Sequence, residues 1–85
     1  MAKRQNFEIK VNGELLEVKH AWNASIRFIE SYVGAKAKER NEEYNLIDIT
    51  GEKNLKGFYT GSRVWESKTE KLTFTINLIE ESHQD

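Results

Sequence analysis

The chain contains no cysteine among its 85 residues. Neither a disulfide framework nor a thiolate metal site can therefore stabilise a core of this size. The sequence also lacks a run of about 18 apolar residues, the length that a membrane span needs, and no apolar segment follows its basic start, MAKRQNF. We expect a cytoplasmic protein without a membrane segment, stabilised by packing or by self-association.

Histidine is scarce, since His20 and His83 are the only two. His83 lies in the polar terminus EESHQD, which would not hold a general acid or base within reach of a substrate. His20 alternates with Val18 and Trp22, a pattern more typical of a partly buried structural histidine than of a catalytic one. An enzyme using His20, in a pocket shared with Asp48 or a glutamate, is the third of three functional hypotheses.

Sequence motifs for catalysis and for cofactor binding are also missing. The chain has no phosphate-binding glycine loop, nucleophile elbow or HExxH motif. Two distant histidines and scattered acidic residues do not form a recognisable set of metal ligands. We therefore predict that the protein is not an enzyme and uses no cofactor or metal.

Charge is nearly balanced, with 13 basic and 14 acidic residues spread along the chain. A protein that holds a duplex by its phosphates usually has a basic excess on one face, and a mimic of nucleic acid has a strong acidic excess. Neither is present. The length and the 38% of hydrophobic residues predict one domain over residues 1–85, with residues 1–5 and 81–85 as flexible ends.

The first twenty residues predict a β-hairpin. NFEIKVN and ELLEVKHAW alternate apolar and polar residues, and Asn12-Gly13 between them is a strong hairpin-turn signal. A two-residue turn would set Glu8 opposite Glu17, and like charges directly opposed destabilise a sheet. We therefore favour a four-residue loop, Asn12–Leu15, which pairs Glu8 with Lys19, over the two-residue turn.

The segment NASIRFIESYVGAKAKERNEEYN predicts the one substantial helix, with Asn23 or Ser25 as its N-cap. Gly34 costs about 1 kcal/mol relative to alanine inside a helix, so the helix either continues through this position or bends or ends there. Apolar residues recur along one stripe of the helix. They are Ile26, Ile29, Val33, Ala37 and Tyr44.

A second apolar face of the same helix contains Phe28 and Tyr32. If the sheet takes only the main stripe, these aromatic side chains are left exposed, which predicts a homodimer interface. The alternative is that a wide apolar arc sinks into a curved sheet.

Three further strands are predicted after the helix, in NLIDIT, GFYTGSRVWES and KLTFTINLIEE. The predicted fold is α+β: a single twisted, mostly antiparallel sheet of about five strands with one main helix across one face, in the order β-β-α-β-β-β. FEIKVNGELLEVKH and VWESKTEKLTFTI resemble the first and last hairpins of the immunoglobulin-binding domains of streptococcal cell-wall proteins. The resemblance implies a β-grasp-like layout. The insertion Leu46–Ser62 departs from it, and immunoglobulin binding is not carried over.

The stretch KNLKGFYTGSRVW holds the candidate binding residues. If the helix covers the side of Phe58 and Val64, then Tyr59, Arg63 and Trp65 lie on the uncovered side, with a glycine gap between the first two. Tyrosine, tryptophan and arginine dominate interface hot spots. We predict that these three bind a protein partner, in an accessory or inhibitory protein of the kind found in phages and mobile elements.

Two other interpretations of this stretch stay open. Trp65 could cover Gly61 or a cross-strand neighbour, with the glycines permitting a bulge or bend. Alternatively, the stretch binds single-stranded nucleic acid through a stacking platform surrounded by cations. That platform would consist of Phe58, Tyr59 and Trp65 with Lys53, Lys56 and Arg63.

Overall fold

The computed structural model describes residues 3–53 and 59–83, and the side chains of residues 6–51 and 60–79. One helix and five strands follow in the predicted order β-β-α-β-β-β. They are β1 Lys3–Val11, β2 Glu14–Lys19, α1 Trp22–Arg40, β3 Asn45–Lys53, β4 Tyr59–Glu66 and β5 Lys71–His83. The strands form one antiparallel sheet in the order β2-β1-β5-β4-β3. The predicted α+β fold and its first and last hairpins are confirmed.

The four-residue loop Asn12–Leu15 that we predicted in the first hairpin is wrong. Asn12 and Gly13 form a two-residue turn with φ values of 51° and 90°, and Val11 pairs with Glu14 across it. Positive φ at both central residues is characteristic of the two-residue type I′ hairpin turn.

A bulge removes the like-charge contact that argued against the short turn. The register shifts after Ile9, with Leu16 as the extra residue, so that Glu8 meets Val18 and not Glu17. The shift also moves Val18 to the face of Glu8, away from the core. Inserting one residue therefore resolves the charge conflict without lengthening the turn.

Helix α1 begins at Trp22 with Ala21 as its N-cap, so the predicted caps Asn23 and Ser25 are wrong. No described side chain caps this end. Ser25 is fully buried, and its hydroxyl donates to the Ala21 carbonyl at 3.0 Å. This bond satisfies a hydroxyl that would otherwise be costly to bury.

The helix continues through Gly34 without interruption. It ends where Asn41 adopts the left-handed conformation and the Glu42 N–H donates to the Ala37 carbonyl, a Schellman-type turn. Of the two possibilities for Gly34, continuation is the one observed.

The core lies between α1 and the central strands β1 and β5. Ile29 and Val33, one turn apart on the helix, are buried against the sheet. The buried set is Phe7, Ile9, Ile29, Val33, Tyr44, Leu72, Phe74 and Ile76. Helix α1 lies closest to β1 and β2, which leaves the β4–β3 side of the same face less covered. Within the described ranges, no helix combines the length and apolar character that a membrane span needs.

Candidate functional site

Cross-strand pairing places Arg63 and Trp65 on the helix-bearing face of the sheet. Trp65 pairs with Leu72 and Arg63 with Phe74 on β5, and both partners are buried in the core. Directly opposed residues of antiparallel strands point to the same face. The prediction that Arg63 and Trp65 lie on the uncovered face is therefore wrong. It assumed that α1 lies on the face of the sheet that contains Val64, whereas α1 lies on the opposite face.

The face without the helix is polar on strands β3 to β5. The hydroxyls of Thr50 and Ser62 are 2.6 Å apart, and the Thr60 hydroxyl donates to the Asn77 side-chain oxygen at 2.7 Å. Cross-strand pairs of this type stabilise a solvated sheet face. This part of the uncovered face therefore offers hydroxyl and amide groups, not the aromatic surface that we predicted.

Trp22, in the first turn of α1, lies over two opposed glycines. Gly51 and Gly61 pair across β3 and β4. A Cβ atom on Gly61 would come within 2.9 Å of the Trp22 indole, and one on Gly51 within 3.5 Å. The same indole meets the ring of Phe7 edge-on, with centroids 5.9 Å apart. The predicted glycine gap is therefore filled by the protein's own tryptophan, and it is Trp22 that covers Gly61.

Arg63 is held against the sheet by backbone carbonyls. Its Nη1 donates to the carbonyl oxygens of Thr50 at 2.9 Å and Ser62 at 2.8 Å. The same nitrogen would lie 3.8 Å from a Cβ on Gly51. These bonds order the guanidinium in advance, which lowers the entropic cost of using it in an interface.

Trp65 is half-buried and packs against the core. Its indole Nε1 is buried and has no acceptor among the described residues. An unpaired buried donor costs about 1–3 kcal/mol. Trp65 therefore stabilises the core mainly through its apolar surface. Across the neighbouring strand β3, it pairs with Leu46.

Strand β3, at the sheet edge, carries a row of exposed aliphatic side chains. Leu46, Ile47 and Ile49 are 38%, 50% and 58% exposed. Leu46 pairs with Trp65 and Ile49 with Arg63, which places these two on the helix-bearing face, and Ile47 is the extra residue of a bulge between Leu46 and Asp48. We call these five residues, Leu46, Ile47, Ile49, Arg63 and Trp65, the β3–β4 patch.

The β3–β4 patch combines aliphatic side chains, an indole and one ordered cation at a sheet edge. No family model, curated protein or solved structure significantly matches the chain. Contiguous exposed apolar groups mark protein contacts, and tryptophan and arginine are typical hot-spot residues. The chemistry of the patch suits contact with another polypeptide.

The predicted second interface, Phe28 and Tyr32, packs against the core. Tyr32 meets Phe74 edge-on at 5.7 Å between centroids. The Nζ of Lys36 lies 5.8 Å from the Tyr32 ring centroid, and the Nζ of Lys19 lies 5.2 Å from that of Phe28. These cation–π contacts cover part of each ring. The geometry favours the alternative of a wide apolar arc packed on the sheet, while the dimer role of this face stays a prediction.

Part of the predicted binding stretch lies outside the described residues. Tyr59 begins β4 and pairs with Lys53, but their side chains are outside the described part of the chain, as are Lys56 and Phe58 entirely. The binding role of Tyr59 therefore stays a prediction.

The residues suggested for catalysis are far apart in the sheet. His20 follows β2 and Asp48 belongs to β3, at opposite edges. Nδ1 of His20 lies 2.9 Å from Oδ1 of Asn6. Among the described residues, no group of three or more histidine or acidic side chains could hold a metal ion.

A polar cluster joins the end of α1 to the loop between β4 and β5. The Thr69 hydroxyl lies 2.8 Å from Oε1 of Glu42, and Nε of Arg40 lies 3.7 Å from its Oε2. Hydrogen bonds from Ser67 and Thr69, with a smaller contribution from the charge of Arg40, lower the pKa of Glu42 below its ordinary value. These groups bind one another, so the cluster serves to fix the helix end.

Proposed function

We propose that the protein is a non-enzymatic module that binds another polypeptide through the β3–β4 patch, acting as an accessory or inhibitory protein in the cytoplasm. The observation that supports this proposal is the row of exposed aliphatic side chains on an edge strand, Leu46, Ile47 and Ile49, beside the half-buried Trp65. Exposed edges with apolar side chains are ready templates for strand pairing.

The two edges of the sheet differ in how they are protected. Strand β2 has six residues, is bulged at Leu16 and includes Glu17 and Lys19, whose charged groups are 4.0 Å apart. Strand β3 has nine residues, is bulged at Ile47 and exposes three aliphatic side chains. Shortness, bulges and charge are the features that prevent edge pairing. Both edges are bulged, but β2 is the shorter strand and exposes one large aliphatic side chain, Leu15, where β3 exposes three, which favours β3 as the interacting edge.

An extended partner segment would add to β3 as a further strand. Main-chain hydrogen bonds would supply affinity, and alternate side chains of the partner would pack on Leu46 and Ile49. Arg63, already ordered by two carbonyls, would meet acceptor groups of the partner. A partner strand of alternating apolar residues with an acidic group nearby fits this chemistry.

Capture of partners from the native host tests the proposal. The immobilised chain and its Ile49→Thr variant are exposed to the same lysate, and recovered proteins are quantified by mass spectrometry. Threonine keeps the β-branched shape and removes apolar surface, so we expect at least about tenfold lower recovery of the specific partner. Leu15→Thr, at the 61% exposed residue of β2, is the matched control and should recover as much as the wild type.

Two further results distinguish the alternatives. A protein complex held by the apolar patch should persist as ionic strength rises, whereas binding of single-stranded nucleic acid should weaken steeply. Equal recovery by Ile49→Thr and wild type, with unchanged circular dichroism, would reject the β3–β4 patch as the binding site.

A further inference from the structure

The side chain of Asn12 ties the turn of the first hairpin to strand β5. The Thr73 N–H donates to its Oδ1 at 2.9 Å, and its Nδ2 donates to the Lys71 carbonyl oxygen at 3.4 Å. The backbone N–H of Asn12 donates to the Thr73 carbonyl oxygen at 2.8 Å. Three hydrogen bonds therefore join this turn residue to the backbone of β5, although β1 itself ends at Val11.

The sequence around Asn12 makes it the asparagine of this chain that is most prone to chemical change. It is the only asparagine followed by glycine, and both turn residues are exposed to water. An asparagine cyclises when the backbone nitrogen of the next residue attacks its side-chain carbonyl carbon. Glycine in that next position favours the attack, because it has no side chain to hinder the approach and its backbone rotates freely.

Cyclisation followed by hydrolysis converts asparagine to an acid without an oxidant or a reductant. The Gly13 nitrogen forms a bond to Cγ of Asn12, the Cγ–Nδ2 bond breaks, and Nδ2 leaves as ammonia with the proton that the Gly13 nitrogen has lost. Water then adds to one of the two carbonyl carbons of the succinimide ring. Opening the ring at Cγ gives aspartate, and opening it at the backbone carbonyl gives isoaspartate, in which the main chain runs through Cβ.

The native turn holds Asn12 in a conformation that cannot form this ring. Its φ of 51° belongs to the left-handed region, where ψ is about +30 to +60°. At such a ψ the Cβ of Asn12 and the Gly13 nitrogen lie on opposite sides of the Cα–C bond, whereas a five-membered ring needs them on the same side. The hydrogen bonds to Thr73 and Lys71 also hold the carboxamide towards β5. Ring closure therefore requires the turn to open and the side chain to leave β5.

We propose that Asn12 is a deamidation site that the fold protects, so that its conversion marks chains whose first hairpin has opened from β5. Isoaspartate adds one atom to the main chain of the turn and removes the carboxamide that binds Thr73 and Lys71. The two-residue turn then cannot re-form with its native hydrogen bonds. The inference is independent of the proposed function, because the turn joins β1 and β2, on the other side of β5 from the β3–β4 patch.

Mass spectrometry of proteolytic fragments tests the protection. The full chain is incubated at mildly alkaline pH in buffer and, in parallel, unfolded in guanidinium chloride, and the conversion of each asparagine is followed. In the unfolded chain, Asn12 should convert faster than every other asparagine. In the native chain its rate should be at least about tenfold lower, because only molecules with an open turn react.

A control variant assigns the fast conversion to Asn12. Asn12→Gln is measured in the unfolded chain, where any effect on folding is irrelevant. Glutamine has to form a six-membered ring, which closes much more slowly, so the fast conversion should disappear. Fast conversion that persisted in this variant would place the reactive residue elsewhere in the chain and overturn the assignment.

Hydrogen exchange follows the opening that admits the reaction. Oδ1 of Asn12 is the acceptor for the Thr73 N–H, so exchange of this proton with solvent reports the release of the Asn12 side chain. Guanidinium chloride below the unfolding transition should accelerate both Thr73 exchange and Asn12 conversion. Chains converted to isoaspartate and returned to buffer should exchange the Thr73 proton at least about tenfold faster than unmodified chains.

Two further results would overturn the inference. One is conversion of Asn12 as fast in the native chain as in the unfolded one. The other is conversion of native Asn12 at a rate that does not respond to the guanidinium concentrations that accelerate exchange at Thr73.

Discussion

The indole of Trp22 lies so close to Gly61 that no side chain fits between them. A Cβ atom at this position would be 2.9 Å from Cη2 of Trp22 and 2.7 Å from the carbonyl oxygen of Thr50. Because the indole also contacts Phe7 on β1, one side chain at the start of α1 spans the sheet from a central strand to the β4–β3 side. This contact fixes where the helix begins and so how much of β3 it leaves uncovered.

Gly61→Ala should therefore destabilise the protein by about 1–3 kcal/mol, the usual cost of overpacking. The obstacles are a backbone oxygen and the Cα of Gly51 at 3.0 Å, neither of which can rotate away as a flexible side chain would. Urea unfolding measures the difference in the free energy of unfolding.

Other glycines of the chain supply matched controls. At Gly51 the nearest atom to a Cβ would be 3.5 Å away, an ordinary contact, so Gly51→Ala should cost less than about 1 kcal/mol. At Gly34, within α1, nothing lies within 4 Å, so Gly34→Ala should stabilise by about 0.5–1 kcal/mol. Equal effects at Gly61 and Gly51 would contradict the packing of Trp22 described here.

Trp65→Phe should change the free energy of unfolding by no more than about 1 kcal/mol. The substitution removes an indole N–H that is buried without a described acceptor, which offsets the loss of ring surface. Trp65→Ala should cost about 2–4 kcal/mol, because the packing against the core is lost as well. If phenylalanine were as costly as alanine, the N–H would have to be satisfied in solution.

The sequence contains a signal for the face of Trp65 that our prediction did not use. The apolar residues of β5 alternate clearly, and the loop before it joins two antiparallel strands. A four-residue loop at Ser67–Glu70 pairs Trp65 with Leu72, and one at Lys68–Lys71 pairs it with Phe74. Both partners belong to the apolar face of β5, and the pairing with Leu72 is the one observed. Register across an even loop therefore predicts the face, whereas the mixed composition of β4 alone does not.

Other features could not be predicted from local patterns. The exposure of Ile49 depends on β3 being an edge strand, and strand order is set by pairings between segments far apart in sequence. The bulge at Leu16 changes the register of β2 by one residue, and the two possible registers differ in whether Glu8 faces Val18 or Glu17. In contrast, the element order, the burial of Ile29 and Val33 on α1 and the buried face of β5 follow from periodicity and were predicted correctly. Tyr44, predicted on the same helical stripe, is buried but lies after the end of α1 at Arg40.

Acidification should weaken the fold partly through Glu42. Its pKa is lowered in the folded state by hydrogen bonds from Ser67 and Thr69, so its stabilising contribution is complete above the ordinary glutamate pKa of about 4.3. That contribution is lost as the pH falls through the lowered value. Unfolding measured from pH 7 to pH 3 should show the difference between wild type and Glu42→Gln shrinking on acidification.

Thr69→Val and Glu43→Gln separate this effect from general acid unfolding. Removing the Thr69 hydroxyl takes away one donor and should reduce the acid dependence in the same sense as Glu42→Gln. Glu43 is exposed and accepts none of the hydrogen bonds of the cluster, so Glu43→Gln should keep the wild-type profile. An unchanged profile in Glu42→Gln would show that the hydrogen bonds to Glu42 do not contribute to stability.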